Sequence, residues 1–136
     1  MTNKLVIIER VPTIEEYTKL CTSVGWRSVM NFDVAHEALN NSLYGVVAIV
    51  SDEVVGMGRV VGDGSIYFYI QDIAVMPEYQ NNGIGKEIMN SIINYLKTNA
   101  PAKAFVGLFA ANGTERFYES FKLYRHNELT GLFRVI

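Results

Sequence analysis

The run Gln80-Asn81-Asn82-Gly83-Ile84-Gly85-Lys86 has residue types and spacing suited to one kind of chemistry. It falls where an apolar, strand-like run ends and a helix-like run begins. A helix N-terminus presents unpaired backbone N–H groups and a partial positive charge, so it attracts phosphate. Glycine carries no Cβ to hold a phosphate away from that backbone. A glycine weakens a helix by about 1 kcal/mol relative to alanine. Gly83 and Gly85 near one helix end therefore point to a need for bare backbone, with a simple strand-to-helix turn as the competing explanation. Two nucleotide motifs fail on the letters. A Gly-x4-Gly-Lys-Ser/Thr loop fits Gly85-Lys86 but is broken by Gln80 and Glu87. A Gly-x-Gly-x-x-Gly fingerprint fits Gly83 and Gly85 but is broken by Ile88, and it belongs after a first strand rather than deep in a chain.

Other reactive side chains carry less. Cys21 is the single cysteine, which excludes an internal disulfide and makes the cytoplasm the default location. It falls on the apolar stripe of a helix, as a core residue does. His36 and His126 are far apart with no ligand cluster beside either, so no metal site is expected. Asp52-Glu53 reads as a solvated turn. A net charge of −2 without a Lys/Arg-rich run argues against nucleic acid or an anionic membrane as the main partner. The first residues, MTNKLVIIERVP, read as neither a signal peptide nor a membrane span. A chain of 136 residues with 49% hydrophobic and 19% charged residues fits one globular domain over residues 1–136.

The elements that must position the glycine run follow from periodicity. Leu5–Glu9 reads as a short strand. Thr13 and Glu16 form a capping-box pair ahead of a helix whose apolar residues are Ile14, Tyr17, Leu20 and Cys21, with Gly25 as its stop. Asp33 is placed to cap a second short helix through about Leu39. Strands at 43–51, 54–62 and 65–76 are joined by turns at Asp52-Glu53 and Asp63-Gly64. The last of these is apolar on both faces, as in a central strand. Ile84, Ile88, Met89, Ile92, Ile93 and Leu96 make one helical stripe. A buried strand over 103–110, a short amphipathic helix over 112–123 and a closing strand over 129–136 complete the chain, with room for a further short strand near Leu123–His126. The expected fold is a mixed, mostly antiparallel α/β sheet of six to seven strands with helices on both faces.

The segment IAVMPEYQNNGIGKEIM resembles the acyl-CoA motif of the GNAT superfamily of N-acetyltransferases, an apolar strand end followed by Gln/Arg-x-x-Gly-x-Gly/Ala. Gln80, Gly83 and Gly85 match that motif in full, and NGTERFYESFKL resembles the family's later helix. The resemblance covers essentially the whole chain in element order and length. It implies acetyl-CoA as co-substrate, with its pyrophosphate held by backbone N–H groups across Gln80, Asn81, Asn82, Gly83, Ile84, Gly85 and Lys86. Asn81 and Asn82 stand where the family often has Arg or Gly, so less fixed positive charge faces the phosphates. The strand end Ile73-Ala74-Val75 would pair with the pantetheine arm as an added strand, at an edge left open because two neighbouring strands splay apart. A backbone N–H there would polarise the thioester carbonyl. Asn112 would hydrogen-bond the pantetheine.

Tyr118 matches the family's tyrosine that protonates the departing thiolate. A thiol titrates near 8.5 and a phenol near 10, so a neutral phenol can donate to a forming thiolate; burial of Phe117, Tyr118 and Phe121 as one helix face is the plainer alternative. Asp72 is implied as a base or amine-binding carboxylate, against the alternative of pairing with a Lys or Arg. Polyamine acetyltransferases often carry Glu-Asp where this chain has Gln71-Asp72. Trp26 with Tyr67 or Tyr69 is placed to line the acceptor pocket, or packs in the core. No cysteine lies near the motif to carry an acetyl group, which implies direct transfer in a ternary complex. The expected acceptor is a small primary amine such as an arylalkylamine or polyamine. A peptide acceptor or a non-catalytic acyl-CoA sensor are the alternatives, and a homodimer is frequent in the family.

Overall fold

The computed structural model describes residues 4–136, so residues 1–3 of the expected single domain lie outside the described residues. The chain builds β1 (Leu5–Ile8), α1 (Ile14–Ser23), α2 (Ala35–Asn40), β2 (Tyr44–Val50), β3 (Glu53–Gly62), β4 (Tyr67–Val75), α3 (Ile84–Asn99), β5 (Phe105–Gly107) and α4 (Glu115–Glu119). The strands form one sheet in the order β1-β2-β3-β4-β5. The first three pairings are antiparallel, and α3 carries the chain across to a parallel β4–β5 pairing. This mixed α/β architecture is the expected one, with five strands rather than six to seven.

The helix signals act locally as their chemistry requires. The Thr13 hydroxyl accepts the Glu16 N–H at 3.2 Å, and the Glu16 carboxylate accepts the Thr13 N–H at 2.8 Å. Such a cap is worth about 1 kcal/mol. Arg10 clamps the same carboxylate at 2.8 and 3.1 Å. Gly25 follows directly after the helix's capping residue, Val24. The second cap falls elsewhere than expected. Asn31 Oδ1 accepts from the Asp33 N–H and opens a 3-10 turn over Phe32–Val34, so Asp33 lies inside the turn, and α2 begins without a side-chain cap.

Two helical layers sandwich the sheet. The buried stripe Ile84, Ile88, Met89, Ile92 and Leu96 lays α3 on one face. There Gly58 makes room for it: a Cβ on Gly58 would stand 2.7 Å from Ile73 and 2.8 Å from Ile88. Successive strand residues point to opposite faces, so Arg59 looks the other way, toward α1 and α2. Tyr17, Leu20, Cys21, Ala35 and Leu39 are buried on that side. The central strand is β3, not β4, and β4 is buried at Phe68 and Ile70 but exposed at Tyr67 and Tyr69.

The C-terminal third departs most from expectation. β5 is three residues long and only partly buried, rather than a buried strand over 103–110. α4 spans Glu115–Glu119 instead of 112–123. Residues 123–126 and 129–136 form no strand, and Leu132, Phe133, Val135 and Ile136 are more than three-quarters exposed at 88, 80, 81 and 102%. No residue beyond Leu96 is fully buried. The sequence pattern of 129–136 is strand-like, but pattern alone cannot supply the partner strand that a ladder needs.

Gly45 carries a packing constraint that periodicity does not reveal. A Cβ there would meet the Val11 backbone at 2.7 Å, where the chain passes over β2 into α1. Backbone cannot swing aside as a side-chain tip does. Gly45→Ala is expected to cost about 1–3 kcal/mol, read as a lowered midpoint in urea unfolding.

Candidate active site

The site starts from an irregularity in β4. Met57 pairs with Ala74 and Arg59 pairs with Gln71, so Asp72 and Ile73 together stand opposite the single residue Gly58. Asp72 takes the left-handed conformation at φ 57°, alone among the residues of β4. Aspartate tolerates that region better than most residues, yet such backbone costs of order 1–3 kcal/mol and needs surrounding contacts to hold it. Those contacts are present. Asp72 Oδ2 accepts from Tyr17 Oη at 2.9 Å and from Arg59 Nε at 2.7 Å. Arg59 Nη1 in turn donates to Ala38 O and Ser42 Oγ, both at 3.1 Å. The Asp72 and Arg59 side chains are 12% and 13% exposed. The carboxylate is therefore tied into the protein on one oxygen.

The β5 partner is lost shortly before the bulge. β4 and β5 pair only through Tyr67–Phe105, Phe68–Val106 and Tyr69–Gly107. From Ile70 to Val75, β4 runs on without a β5 partner, leaving an edge at Ile73-Ala74-Val75. Next come a 3-10 turn, Pro77–Tyr79, and the glycine run. Gln80 Nε2 donates to Val75 O at 2.9 Å, tying the turn back to the strand end. Asn82 Nδ2 donates to Tyr79 O and Gln80 O at 3.3 and 3.2 Å. The two asparagines thus serve the loop: Asn82 braces it and Asn81, at φ 65°, bends it.

Gly83 is the N-cap of α3, with φ 81° and no side chain to satisfy the first-turn N–H groups. A Cβ on Gly83 would meet nothing within 4 Å, so its glycine answers a backbone demand and leaves the helix mouth open. The Phe117 ring lies over Gly85, where a Cβ would stand 3.5 Å from it in ordinary van der Waals contact, so this packing does not itself require glycine. That contact seats α4 beside the α3 N-terminus. The Phe117 and Tyr118 rings stand edge-to-face at 5.0 Å. Tyr118 is half-buried, its hydroxyl has no hydrogen-bond partner among the described residues, and burial raises its pKa above the ordinary phenol value. The phenol keeps its proton at neutral pH.

The remaining expected residues are spread around this centre. Lys86 is exposed in the first turn of α3, with Ile84 buried beside it. Asn112 lies exposed in the loop before α4 and makes no side-chain hydrogen bond with the described residues. Tyr67 and Tyr69 flank Phe105 edge-to-face at 5.9 and 6.1 Å, a partly exposed aromatic patch leading up to the bulge. Trp26 packs partly buried against the core after α1. Surface hollows at Lys4, Val6 and Ile49 and along Arg125–Glu128 lie apart from these residues. Tyr17 was not expected in the site, and Arg59, expected to face solvent or an acceptor anion, instead holds Asp72. Tyr17 reads as one more residue of an apolar stripe, but Arg59 is a lone charge inside VVGMGRVVG, which is a legible signal that it must find a partner.

The model of the acetyltransferase (GNAT) family matches residues 11–122, which include the bulge, the glycine turn and α4. The chain belongs to the GNAT acetyltransferase family. A crystal structure from meticillin-resistant Staphylococcus aureus, of a protein of unknown function described as a probable acetyltransferase, is 31% identical, covers 98% of this chain and 99% of its own, and superposes with a TM-score of 0.89. A GNAT-family acetyltransferase of Streptococcus pneumoniae is 29% identical over 98% of both chains, with a TM-score of 0.83. An uncharacterized ycf52-like N-acetyltransferase of Prochlorococcus marinus is 35% identical over 84% of this chain, and the chain spans only 65% of that relative. Residues 123–136 lie outside the family match.

The packing beneath the GNAT site has a consequence in alkali. Burial first, then the Asp72 charge, pushes the Cys21 thiol up from 9.0 to about 11. The folded state thus holds this proton more tightly than the unfolded state, so the stabilisation is complete below pH 9 and is lost as pH rises toward 11. Tyr17, raised by burial and by Asp72, acts in the same direction. Urea midpoints are expected to be level from pH 7 to 9 and to fall between pH 9 and 11.

Proposed function

We propose that the protein transfers the acetyl group of acetyl-CoA directly to a primary amine of a small molecule. The observation that carries this is the free edge of β4 running into an uncapped α3 N-terminus, with an unpartnered phenol on the helix packed against that terminus. The residues fit acetyl-CoA. Gly83 has open space where a Cβ would stand, and the first-turn N–H groups of α3 are free of any side-chain cap, so phosphate oxygens have donors. Ile73-Ala74-Val75 offer backbone groups to an extended amide-bearing arm. Bound acetyl-CoA supplies the activated thioester. Tyr118, protonated and half-buried, donates to the sulfur as the C–S bond breaks, and a backbone N–H at the strand end takes the oxyanion. The amine must arrive neutral, its proton passing to solvent.

The aromatic patch of Tyr67, Tyr69 and Phe105, exposed by 48, 36 and 44%, supports an amine with an apolar or aromatic body. Cys21 is fully buried and offers no accessible thiol for a covalent acetyl-cysteine step, which supports transfer in a ternary complex. The single buried cysteine also fits a cytoplasmic setting. No helix among the described residues is long and apolar enough to cross a membrane.

Thiol release from acetyl-CoA, followed with polyamines, arylalkylamines, amino sugars, amino acids and a Lys peptide, tests the reading. Tyr118→Phe is expected to lower kcat by about 10²-fold or more with little change in the KM for acetyl-CoA. Turnover with the peptide alone would make this a peptide acetyltransferase. Acetyl-CoA binding without turnover on any amine would favour a sensor.

A homodimer belongs to the same proposal. The outer edge of β5 has no neighbour in the sheet order, and the strand-like segment 129–136 has no partner, although the Phe109 and Phe133 rings touch at 5.8 Å. One chain thus holds both an open edge and an apolar segment whose sequence is strand-like but which forms no strand among the described residues. Two copies related by a two-fold axis satisfy both reciprocally. Two such tails offer on the order of 1,000 Å² for burial, where specific interfaces begin. Light scattering should give twice the chain mass, falling to the monomer mass in Leu132→Asp/Phe133→Asp.

A further inference from the structure

Asp72 sits at the left-handed residue of the bulge, and its Oδ2 is held from two sides, by α1 through Tyr17 and by β3 through Arg59. Arg59 is the wider tie. Its planar fork reaches Asp72 with Nε and, with Nη1, both Ala38 O near the end of α2 and Ser42 Oγ beyond it. Three acceptors on three segments are thereby fixed relative to one another. A lysine ammonium has the charge but not the fork, and cannot span the same acceptors. The next residues along the chain, Ile73-Ala74-Val75, are those on the free edge of β4.

We propose that Arg59, acting through Asp72, is the positioning residue that sets the cofactor-facing edge of β4. The inference rests on the acetyl-CoA reading above and adds a role that touches neither the thioester nor the amine. Asp72 becomes the holder of a backbone bend: its carboxylate fixes where the Ile73–Val75 N–H and C=O groups point. Gln80 extends the same control forward, because its side chain holds Val75 O from the glycine-turn side. Loss of the Arg59 tie frees the bulge to relax toward regular pairing, which moves the edge that meets the pantetheine arm. The α3 N-terminus, held by its own stripe and by Phe117, stays in place.

That separation gives the test. Isothermal titration calorimetry would compare acetyl-CoA, which uses both the strand edge and the α3 N-terminus, with 3′-phospho-ADP, which uses the N-terminus alone. The wild-type chain, Arg59→Lys, Asp72→Ala and Asp72→Asn would each be titrated with both. Arg59→Lys and Asp72→Ala are expected to weaken acetyl-CoA binding by about tenfold or more while 3′-phospho-ADP stays within about twofold. Asn tolerates the left-handed backbone and keeps an oxygen that accepts from Arg59 and Tyr17. Asp72→Asn is therefore expected to recover most of the acetyl-CoA affinity that Asp72→Ala loses. Equal loss for both ligands would mean general damage to the fold and would overturn the proposal. So would unchanged acetyl-CoA affinity in Arg59→Lys, or an Asp72→Asn as weak as Asp72→Ala. Failure of the wild-type chain to bind acetyl-CoA is a different result, which removes the acetyltransferase reading itself.

Discussion

The tie between Asp72 and Arg59 joins three things that would otherwise be independent: an unfavourable backbone conformation, a nearly dry ion pair, and the divergence of two strands. Taking a carboxylate and a guanidinium out of water is costly, and the return comes only when each remaining donor or acceptor is satisfied. Tyr17, Ala38 and Ser42 satisfy them here. Removing one partner strands the other, at a cost of about 3 kcal/mol or more. The same pair holds a non-glycine residue at positive φ, so the ion pair stabilises a bend that sterics oppose. β4 has already lost its β5 partner after Tyr69, and the bend shapes the edge that this leaves free.

The second half of the site is built by close packing rather than charge. The Phe117 ring lies against Gly85 in the first turn of α3, and Phe121 packs against Phe117 at 5.4 Å. Tyr118 follows Phe117 in sequence, so its position depends on that contact. A ring from α4 rests on the first turn of α3, and the neighbouring phenol is carried along. The α3 stripe fixes one side of the arrangement through Ile84 and Ile88.

Much of this was legible in the letters, because local chemistry carries it. The Thr13–Glu16 box, the Asp63-Gly64 turn and the α3 stripe each depend on residues within a few positions of one another, and each is found. The glycine turn was legible for the same reason. What the sequence hid is long-range. Tyr17 and Asp72 stand 55 positions apart, and nothing in either neighbourhood announces the other. Asp33 and Asn31 are both good caps, and the choice between them fell to the 3-10 turn. The strand pattern at 129–136 is real, but a strand needs a partner, and partners are a property of the fold or of an assembly. Gln71 and Asp72 both lie toward the same face only because the bulge breaks the two-residue alternation that a reader of the sequence assumes.

The strand order β1-β2-β3-β4-β5 follows the chain, each strand lying beside its predecessor. Pairing between sequence neighbours closes short loops, and proteins dominated by such contacts fold quickly for their size. The β2–β3 and β3–β4 hairpins can zip as soon as their turns form, and they already contain Arg59 and Asp72. β5 must wait for α3, since a parallel neighbour is reached only across the crossover. During synthesis the splayed strand end would therefore be shaped before α3 docks on the sheet and before the helix that carries Tyr118 exists. The free edge of β4 is an early product of folding, and Tyr118 is set beside the α3 N-terminus afterwards.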